Sequence, residues 1–255
     1  MAQQNHPYFA TSPLPRILAH RGLAGPGVSE NTIEAFVRAI EAGATHIESD
    51  IQVTKDGVAV LFHDHDLSRV AGVASRIEDV SAAELAQIEL NDGGRVPRLE
   101  DALLQLPSAR FNLDIKSDAA VAPAVEVINR LGVWNRVLVS SFSDGRRRRA
   151  LAGMTHTLAT SAGASLVLLA RVASAFGAKV LLARMLRKVG ALQIPRHFGP
   201  IRLDTIDFLL HLKSAGVEVH FWTINDPAEM KALVELGASG IVSDRADLAV
   251  QTLLP

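Results

Sequence analysis

The alternation of short β-rich runs with helical patterns constrains the fold of this chain more than any other feature. Most of these runs are followed by a helical pattern, which is typical of a mainly parallel sheet with crossover helices. Nine runs qualify as strands: RILAH, THIESDIQV, VAVLF, RFNLDI, RVLVSSF, HTLAT, ALQI, VEVHFW and SGIVS. The length of 255 residues, 48% of them hydrophobic, suits one α/β barrel as well as two small domains. We predict an α/β fold, a (β/α)8 TIM-type barrel with a small insertion after the third strand.

A barrel of this type needs eight strands, so one of the nine candidates is surplus. We expect ALQI to be the irregular one, because Pro195 follows it at once. VAVLF also departs from strict alternation, since it follows THIESDIQV through the turn-like TKDG rather than through a helix. The predicted helices are Glu30 to Ala42, Leu99 to Gln105, Ala119 to Leu131, Asp204 to Ala215, Pro227 to Leu236 and Ala246 to Leu253.

The chain is predicted to be a single barrel domain over residues 1–255. More than forty residues separate VAVLF from RFNLDI, which predicts an insertion beside the barrel mouth at about 65–98. No Gly/Ser linker, long charge block or fixed-period repeat marks a second domain. Residues 1–15 are expected to form a disordered or loosely attached tail.

Composition removes several classes of function. The chain has no cysteine, which excludes a disulfide framework, a thiolate metal site and a cysteine nucleophile. Its 26 basic and 27 acidic residues give a net charge of -1, so charge offers no argument for nucleic acid or a strongly anionic surface as the main partner. We expect no nucleic-acid partner. The run from Arg146 to Arg149 is interpreted as the solvated start of a helix.

Two segments indicate where in the cell the protein is expected to be. Residues Met1 to Arg16 lack the basic start and continuous apolar core of a signal peptide, so we expect a cytoplasmic protein. The longest apolar stretch, Leu166 to Leu186, is interrupted by Arg171, Lys179 and Arg184, whereas a membrane span needs about 20 mostly uncharged residues. This stretch is therefore predicted to be an amphipathic or buried helix, and no transmembrane segment is expected.

Polar side chains recur on the first four predicted strands or directly at their ends. These residues are His20 and Arg21, Glu48 and Asp50, His63 and Asp64, and Asp114 and Lys116. Barrel active sites gather at the carboxyl ends of the strands, so these groups are expected to meet there. Taken singly, each has an ordinary structural explanation, such as a hydrogen-bonded histidine or a solvated acidic face. Their joint placement favours a catalytic site.

Glu48 and Asp50 lie two positions apart, so their side chains face the same way on a strand, and Asp114 adds a third carboxylate. Three carboxylates without cysteine suit one hard divalent cation, Mg²⁺ or Ca²⁺ first and Mn²⁺ next. If His20 and His63 were ligands, a softer metal such as Zn²⁺ would fit. Their positions suit proton transfer equally well.

Eight motifs follow one another in an order typical of one enzyme family: AHRG, SENTIEAF, GATHIESDIQVTKDGVAVLFHDHDLSRV, PRLEDAL, FNLDIK, VSSF, FWTIND and GIVSD. They extend over nearly the whole chain, and the block from Gly43 to Val70 is highly specific. Through them the chain resembles the glycerophosphodiester phosphodiesterase family. The resemblance implies that His20 and His63 are the general acid/base pair, that Arg21 and Lys116 bind phosphate, and that Glu48, Asp50 and Asp114 are the metal ligands.

The family often has Glu where this chain has Asp114, and the shorter side chain draws the metal nearer that strand or admits a water. Glu30, Asn31 and Asp64 are expected to hold the catalytic and binding residues in position without taking part in catalysis themselves. Gly22 is expected to leave room for the backbone beside Arg21. Trp222 is expected to contact the substrate, with core packing as the alternative. Core packing is also predicted for Phe142, helix capping for Asn225 and Asp226, and a solvent-facing position for His65.

The activity implied by the resemblance is metal-dependent hydrolysis of glycerophosphodiesters, small-molecule substrates such as deacylated phospholipids, to sn-glycerol 3-phosphate and an alcohol. A phospholipase D-like activity on lysophospholipids is the first alternative, because Leu166 to Leu186 could hold an acyl chain. The second alternative is a non-catalytic barrel that binds a phosphate ligand. Retention of both histidines and all three acids argues against that second alternative.

Overall fold

A computed structural model describes residues 3–10 and 13–254 of the chain. Its strands are β1 (Arg16–His20), β2 (His46–Val53), β3 (Ala59–Leu61), β4 (Phe111–Ile115), β5 (Val137–Ser140), β6 (Ala159–Thr160), β7 (Ala191–Ile194), β8 (His197–Phe198), β9 (Ile201–Arg202), β10 (Glu218–Phe221) and β11 (Gly240–Ser243). Its α-helices are α1 (Pro7–Ala10), α2 (Ile33–Glu41), α3 (Ser68–Ala71), α4 (Ala82–Leu85), α5 (Leu99–Gln105), α6 (Val121–Leu131), α7 (Asp144–Ala152), α8 (Ala164–Ala175), α9 (Lys179–Leu186), α10 (Ile206–Ser214), α11 (Pro227–Leu236) and α12 (Ala246–Leu253).

Eight parallel strands form the barrel, in the order β6, β5, β4, β2, β1, β11, β10, β7. A parallel bridge between Ser161 and Ala191 brings the two ends of this order together. The first strand pairs with both β2 and β11, so the start of the chain lies beside its end. The predicted (β/α)8 barrel is confirmed. Since all eight strands run the same way, their carboxyl ends share one face.

The surplus strand is β3, the VAVLF run, and the expectation that ALQI would be irregular is wrong. β3 turns back and pairs antiparallel with β2, Val53 opposite Ala59 and Ile51 opposite Leu61, outside the barrel path. ALQI forms β7 and pairs in parallel register with β10. Pro195 follows the last ladder residue, Ile194, so its missing N–H removes no bond from that strand.

The observed helix bounds agree best with the predicted ones where the sequence contains clear capping residues. α5, α11 and α12 have the predicted bounds, and Asp226 caps α11 by accepting a hydrogen bond from the Glu229 amide. Helix α2 begins at Ile33 and not at the predicted Glu30, because Asn31 lies in the left-handed region (φ 56°) and Thr32 is the N-cap. The stretch from Leu166 to Leu186 is two helices, α8 and α9, separated at Gly177, which has φ +65°.

The predicted insertion range, 65–98, holds α3, α4 and a 3-10 turn at Ile77–Asp79. Leu67, Ile77 and Leu85 are buried with Val60 and Phe62 in an apolar cluster of their own. This cluster packs the insertion onto β3 and its following residue. The extra strand therefore serves as the base of the insertion at the carboxyl-end face.

The tail prediction needs correction over the described part of residues 1–15. Tyr8 and Phe9 are buried among Leu138 of β5 and residues of β6 and β7. The carbonyl of Phe9 accepts a hydrogen bond from Arg16 Nη2 at 2.6 Å. Two aromatic side chains thus pack against the barrel strands, and their burial holds the segment in place. Residues 1, 2, 11 and 12 of the predicted tail lie outside the described residues.

A charged cluster is buried between β1 and β10. Arg16 makes two hydrogen bonds to Glu218, at 2.6 and 2.7 Å, and His220 Nε2 lies 3.0 Å from the same carboxylate. All three side chains are buried. Because each charged or polar group has a partner, the barrel interior tolerates them. Within the described residues, no helix is both long and apolar enough to cross a membrane.

Candidate active site

A cavity of about 250 Å³ opens at the carboxyl-end face of the barrel. Every residue that the sequence placed in direct contact with substrate, metal or transferred proton lines it: His20, Arg21, Glu48, Asp50, His63, Asp114, Lys116 and Trp222. Glu30, Asn31 and Asp64 lie behind this lining and bond to residues within it. The barrel thus brings together residues that come from separate strands.

The imidazole of His20 is fixed from the last barrel strand. Its Nδ1 lies 2.6 Å from Asp244 Oδ1, and its Nε2 lies 4.0 Å from Glu48 Oε2. Asp244 is itself held, because Asn225 Nδ2 donates to its other oxygen at 2.8 Å. Burial lowers the pKa of His20, but the hydrogen bond to Asp244 and the charge of Glu48 outweigh it and leave this pKa raised.

His63 is held in the same way by its neighbour. Its Nδ1 lies 2.6 Å from Asp64 Oδ1, while the other carboxylate oxygen of Asp64 accepts a hydrogen bond from Arg69 Nε at 2.6 Å. In both histidines the ring nitrogen Nδ1 is therefore taken by a carboxylate. Nε2 is then the ring nitrogen at which an imidazole held in this way can take up or release a proton.

Arg69 connects this histidine to Arg21 through Glu30. Its Nη1 and Nη2 donate to the two oxygens of Glu30 at 3.0 and 2.6 Å, and Glu30 also accepts from Arg21 Nη1 at 2.9 Å. Burial raises the pKa of Glu30, but the bonds and charges of the two arginines dominate and lower it. A continuous chain of charged hydrogen bonds thus joins Arg21 to His63.

The backbone at the start of this site is unusual. Arg21 has φ 57°, in the left-handed region, and its carbonyl accepts a hydrogen bond from the Asn31 amide at 2.8 Å. Gly22 follows with φ +84°, and a Cβ there would lie 2.8 Å from the backbone of Ala35. Gly22 is therefore required both for its conformation and for the close approach of α2.

The carboxylates crowd around one ammonium group. Lys116 Nζ lies 2.7 Å from Asp50 Oδ1 and 2.8 Å from Asp114 Oδ2. Burial and then the charge of Asp50 raise the pKa of Glu48 to about 7, and burial also raises that of Asp114. Burial acts on Asp50 too, but Lys116 and then Arg21 outweigh it and leave the pKa of Asp50 lowered. Three buried carboxylates thus share the fixed positive charges of Lys116 and Arg21.

The donor set has the chemistry that a divalent cation needs. Two buried acceptor atoms that point to this need are Asp114 Oδ1 and Asn112 Oδ1, neither of which has a hydrogen-bond partner in the described part of the chain. Both residues line the cavity. No three acidic or histidine side chains of the described residues form a ready ligand cluster, and Lys116 lies between two of the acids. The donors therefore fit a hard cation, while their arrangement requires Lys116 to yield part of its position.

One wall of the cavity is apolar. It includes Val167, Leu168, Ile194, Phe198, Leu203 and Trp222. The rings of Trp222 and Phe142 meet edge to face with centroids 5.9 Å apart, and Lys116 Nζ lies 5.6 Å from the Phe142 centroid. The prediction of core packing for Phe142 is wrong, because the side chain is 59% exposed at the cavity mouth. Its position follows from the end of β5, which brings it above the strand layer.

Four residues of the site were missed from the sequence: Asn112, Asp244, Asn225 and Arg69. Asn112 lies two positions before Asp114 on β4, so the same-face rule that paired Glu48 with Asp50 would have found it. Asp244 directly follows β11 and could have been found as a polar strand-end residue. Asn225 was interpreted as a helix cap, but its side chain bonds to Ser243 and Asp244. Arg69 lies inside the family-specific block from Gly43 to Val70, but no role was assigned to it there.

The fold and cavity together define a class of protein: a (β/α)8-barrel enzyme whose carboxyl-end site combines two carboxylate-held histidines with an arginine, a lysine and three acids. Residues 20–248 match the model of the glycerophosphoryl diester phosphodiesterase family. The chain is 37% identical to "Probable glycerophosphodiester phosphodiesterase 2" of Mycobacterium tuberculosis, over 93% of this chain and 90% of that protein. The chain belongs to the glycerophosphoryl diester phosphodiesterase family and is a phosphoric diester hydrolase.

Solved structures have the same fold. A glycerophosphodiester phosphodiesterase from Agrobacterium tumefaciens superposes with a TM-score of 0.74 at 21% identity, covering 94% of this chain and 99% of that one. A phosphodiesterase from Oleispira antarctica, solved in complex with the product sn-glycerol-3-phosphate, gives a TM-score of 0.73 at 23% identity, with 94% and 97% covered. These likenesses support the barrel assignment over almost the full chain.

Proposed function

We propose that this protein hydrolyses glycerophosphodiesters to sn-glycerol 3-phosphate and an alcohol. The observation that carries the proposal is the convergence of His20 and His63, each held at Nδ1 by a carboxylate, with Arg21 and Lys116 in one cavity. Family membership supports the same reaction. The Oleispira antarctica phosphodiesterase of the same fold has the proposed product in its structure.

In the proposed reaction, one P–O bond to the alcohol breaks and one P–O bond forms. One histidine accepts the proton of the attacking hydroxyl at Nε2, and the other donates a proton to the departing alkoxide. Arg21 and Lys116 bind the non-bridging phosphate oxygens and stabilise the charge that develops on them. Asp244 and Asp64 keep the two rings oriented throughout.

We further propose one divalent cation, Mg²⁺ or Ca²⁺ with Mn²⁺ as the next candidate, held by Glu48, Asp50 and Asp114. Such a cation supplies charge neutralisation at the phosphate oxygens. The unpartnered Asp114 Oδ1 and the raised pKa of Glu48 support this, because an added cation would pair with the first and stabilise the charged form of the second. In this arrangement Lys116 gives up its contact with Asp114, keeps the one with Asp50 and turns towards the substrate phosphate.

The first experiment measures release of sn-glycerol 3-phosphate from glycerophosphocholine, glycerophosphoethanolamine and glycerophosphoglycerol. The protein is treated with EDTA and then supplied with Mg²⁺, Ca²⁺, Mn²⁺ or Zn²⁺. Activity that disappears with EDTA and returns with Mg²⁺ or Ca²⁺ is expected. Undiminished activity in EDTA would overturn the proposed cation, and no activity with any metal would favour a phosphate-binding barrel over an enzyme.

The second experiment tests the two histidines. His20→Ala and His63→Ala are each expected to lower kcat by about 10² to 10⁴-fold, the usual contribution of general acid/base catalysis. His65→Ala is the matched control, since His65 is an exposed histidine two residues beyond His63. Normal turnover by either of the first two variants would refute the assigned role of that residue.

The nucleophile can be identified in the same assay. Attack by the substrate glycerol hydroxyl yields a cyclic phosphate that water then opens, whereas direct attack by water yields no such intermediate. Single-turnover reactions in labelled water distinguish these routes, because trapping the cyclic phosphate supports the first. Labelled product without that intermediate supports the second.

A second candidate function is phospholipase D-like hydrolysis of lysophospholipids, favoured by the apolar cavity wall that includes Val167, Leu168 and Phe198. An acyl chain could lie along this wall. Rates on glycerophosphocholine and lysophosphatidylcholine decide between the two. Equal rates would argue against recognition of the acyl chain, and a large preference for the lysolipid would favour the second candidate.

A further inference from the structure

Helices α8 and α9 present an unusual number of large apolar side chains to solvent. Leu169, Val172 and Phe176 are 57, 53 and 84% exposed, and Val180 and Leu181 are 84 and 52% exposed. The first three are spaced i, i+3, i+7, so they share one face of α8, and the other two follow at the start of α9. We call these five residues the α8–α9 surface. A contiguous apolar group of this kind marks an interaction site more often than isolated exposed residues do.

The charge around this surface has one sign. From Gly145 to Leu203 the sequence contains eleven of the 26 basic residues and none of the 27 acidic ones. Lys179, Arg184, Arg187 and Lys188 are exposed on or directly after α9, and none makes an ion pair with any described residue. The overall net charge of -1 therefore conceals a strongly basic region, which can attract an anionic surface although the chain as a whole does not.

The first turns of α8 reach the cavity, and the α8–α9 surface extends from there along the helix towards its carboxyl end and into α9. Leu168, next to Leu169 on α8, lines the cavity, and Arg171 Nε donates to the carbonyl of Arg202 in the β8–β9 hairpin at 3.0 Å. Phe198 on that hairpin also lines the cavity and is 48% exposed. A partner that contacts the α8–α9 surface would therefore touch the outer, helical layer of the barrel, on an element whose first turns line the cavity.

We propose that the α8–α9 surface docks onto an anionic phospholipid bilayer. The apolar side chains of Phe176 and Val180 would enter the headgroup region, while the free cations of α9 contact lipid phosphates and anionic headgroups. Each Lys or Arg close to an anionic leaflet and each buried apolar side chain adds to binding. The protein contacts the bilayer from one side, and no helix needs to cross it.

A lipid bilayer fits this surface better than a second copy of the chain. Two copies that met through the α8–α9 surface would bring Lys179, Arg184 and Arg187 of each close to the same cations of the other. Such contact between like charges opposes association. An anionic bilayer supplies the opposite charge and an apolar layer at once.

The test is co-sedimentation of the full chain with vesicles of phosphatidylcholine alone and of phosphatidylcholine mixed with an equal amount of phosphatidylglycerol. We expect binding to the mixed vesicles to be at least about tenfold stronger and to weaken as salt is raised. The double variants Phe176→Asp/Val180→Asp and Arg184→Glu/Lys188→Glu are each expected to weaken it at least about tenfold. Thermal unfolding of each variant verifies that the fold is retained, since all four side chains are exposed.

The matched controls change the same chemistry elsewhere. Leu104→Asp replaces an exposed leucine of α5, 57% exposed, and Lys55→Glu/Lys231→Glu gives the same change in net charge as the basic double variant. Controls that bind like the unaltered protein support the proposal. It is overturned if the unaltered protein binds neither vesicle, if the α8–α9 variants bind as well as the controls, or if Phe176→Asp/Val180→Asp instead converts a dimer into a monomer. Because vesicle binding needs no turnover, this result is independent of the proposed hydrolysis.

Discussion

His20 and Asp244 are 224 positions apart in the sequence, yet His20 Nδ1 lies 2.6 Å from Asp244 Oδ1. The contact exists because β1 and β11 are adjacent in the barrel, with Ala19 opposite Ser243. Asp244 raises the pKa of His20 against the effect of burial and fixes the orientation of its ring. The orientation and pKa of a histidine near one end of the sequence thus depend on a carboxylate near the other.

Asp244→Asn is expected to lower kcat by about 10- to 100-fold, because the amide keeps the size of the side chain but loses its charge. Without that charge the pKa of His20 falls, so the limb of the pH–rate profile that belongs to His20 moves to lower pH. The measurement is kcat from acidic to alkaline pH. Asp247→Asn is the control, as Asp247 pairs with Arg245 outside the cavity lining. An unchanged profile for Asp244→Asn would disprove the positioning role.

Arg69→Lys is expected to reduce activity although it preserves the charge. One ammonium group cannot reproduce the fork that joins Glu30 to Asp64, so both Arg21 and His63 lose part of their support. KM is expected to rise through Arg21 and kcat to fall through His63, by about tenfold in kcat/KM. Steady-state kinetics on a soluble glycerophosphodiester measures both. Arg76→Lys, in an exposed pair with Glu78, should behave like the unaltered protein, and equal kinetics for the two variants would contradict the prediction.

Gly22→Ala is expected to destabilise the fold by more than about 2 kcal/mol. The left-handed backbone alone costs about 1 kcal/mol, and the added Cβ would press on the Ala35 backbone at 2.8 Å. Gly57→Ala separates the two causes, since Gly57 has φ +81° and a Cβ added there would meet nothing within 4 Å. Urea unfolding of both variants gives the difference. The same loss for both would mean that the approach of α2 to Gly22 is not tight.

Acid is expected to destabilise the barrel in two steps. Burial lowers the pKa of His46 well below 6.5, so the stability that its neutral form provides is lost as the pH falls below about 6.5. Burial raises the pKa of Glu218, but Arg16 and His220 outweigh it and lower this pKa from 4.5 to about 2. The stabilisation from Glu218, about 3 kcal/mol by this shift, is present above pH 4.5 and disappears towards pH 2.

The Glu218→Gln variant tests the second step. It is expected to be less stable at neutral pH, because Arg16 remains buried without its charge partner, and to show a flatter dependence between pH 4.5 and 2. Denaturant unfolding across this range provides the measurement, with the exposed Glu41→Gln as control. If the slope of stability against pH in this window equals that of the control, the buried cluster does not govern acid unfolding.

Much of the fold could be predicted from local patterns. The βα alternation predicted the barrel, and Asp226, Pro227 and Gly237 predicted the bounds of α11, because capping depends on neighbouring residues. The surplus strand could not be assigned correctly. VAVLF and ALQI are both short β-rich runs, and which of them joins the barrel depends on pairing with a distant strand rather than on either sequence.

The same division holds for the site. The sequence by itself determined the chemistry available: two histidines, Arg21 and Lys116, three acids and no thiol, in motifs that identify one family. Only the tertiary structure decided that Asp244 holds His20, that Arg69 links Glu30 to Asp64, and that apolar residues of α8 and α9 face solvent. The physical reason is that hydrogen bonds and burial act across a few ångströms of space, whereas sequence patterns report neighbours along the chain. Closure of the barrel is what makes distant residues neighbours.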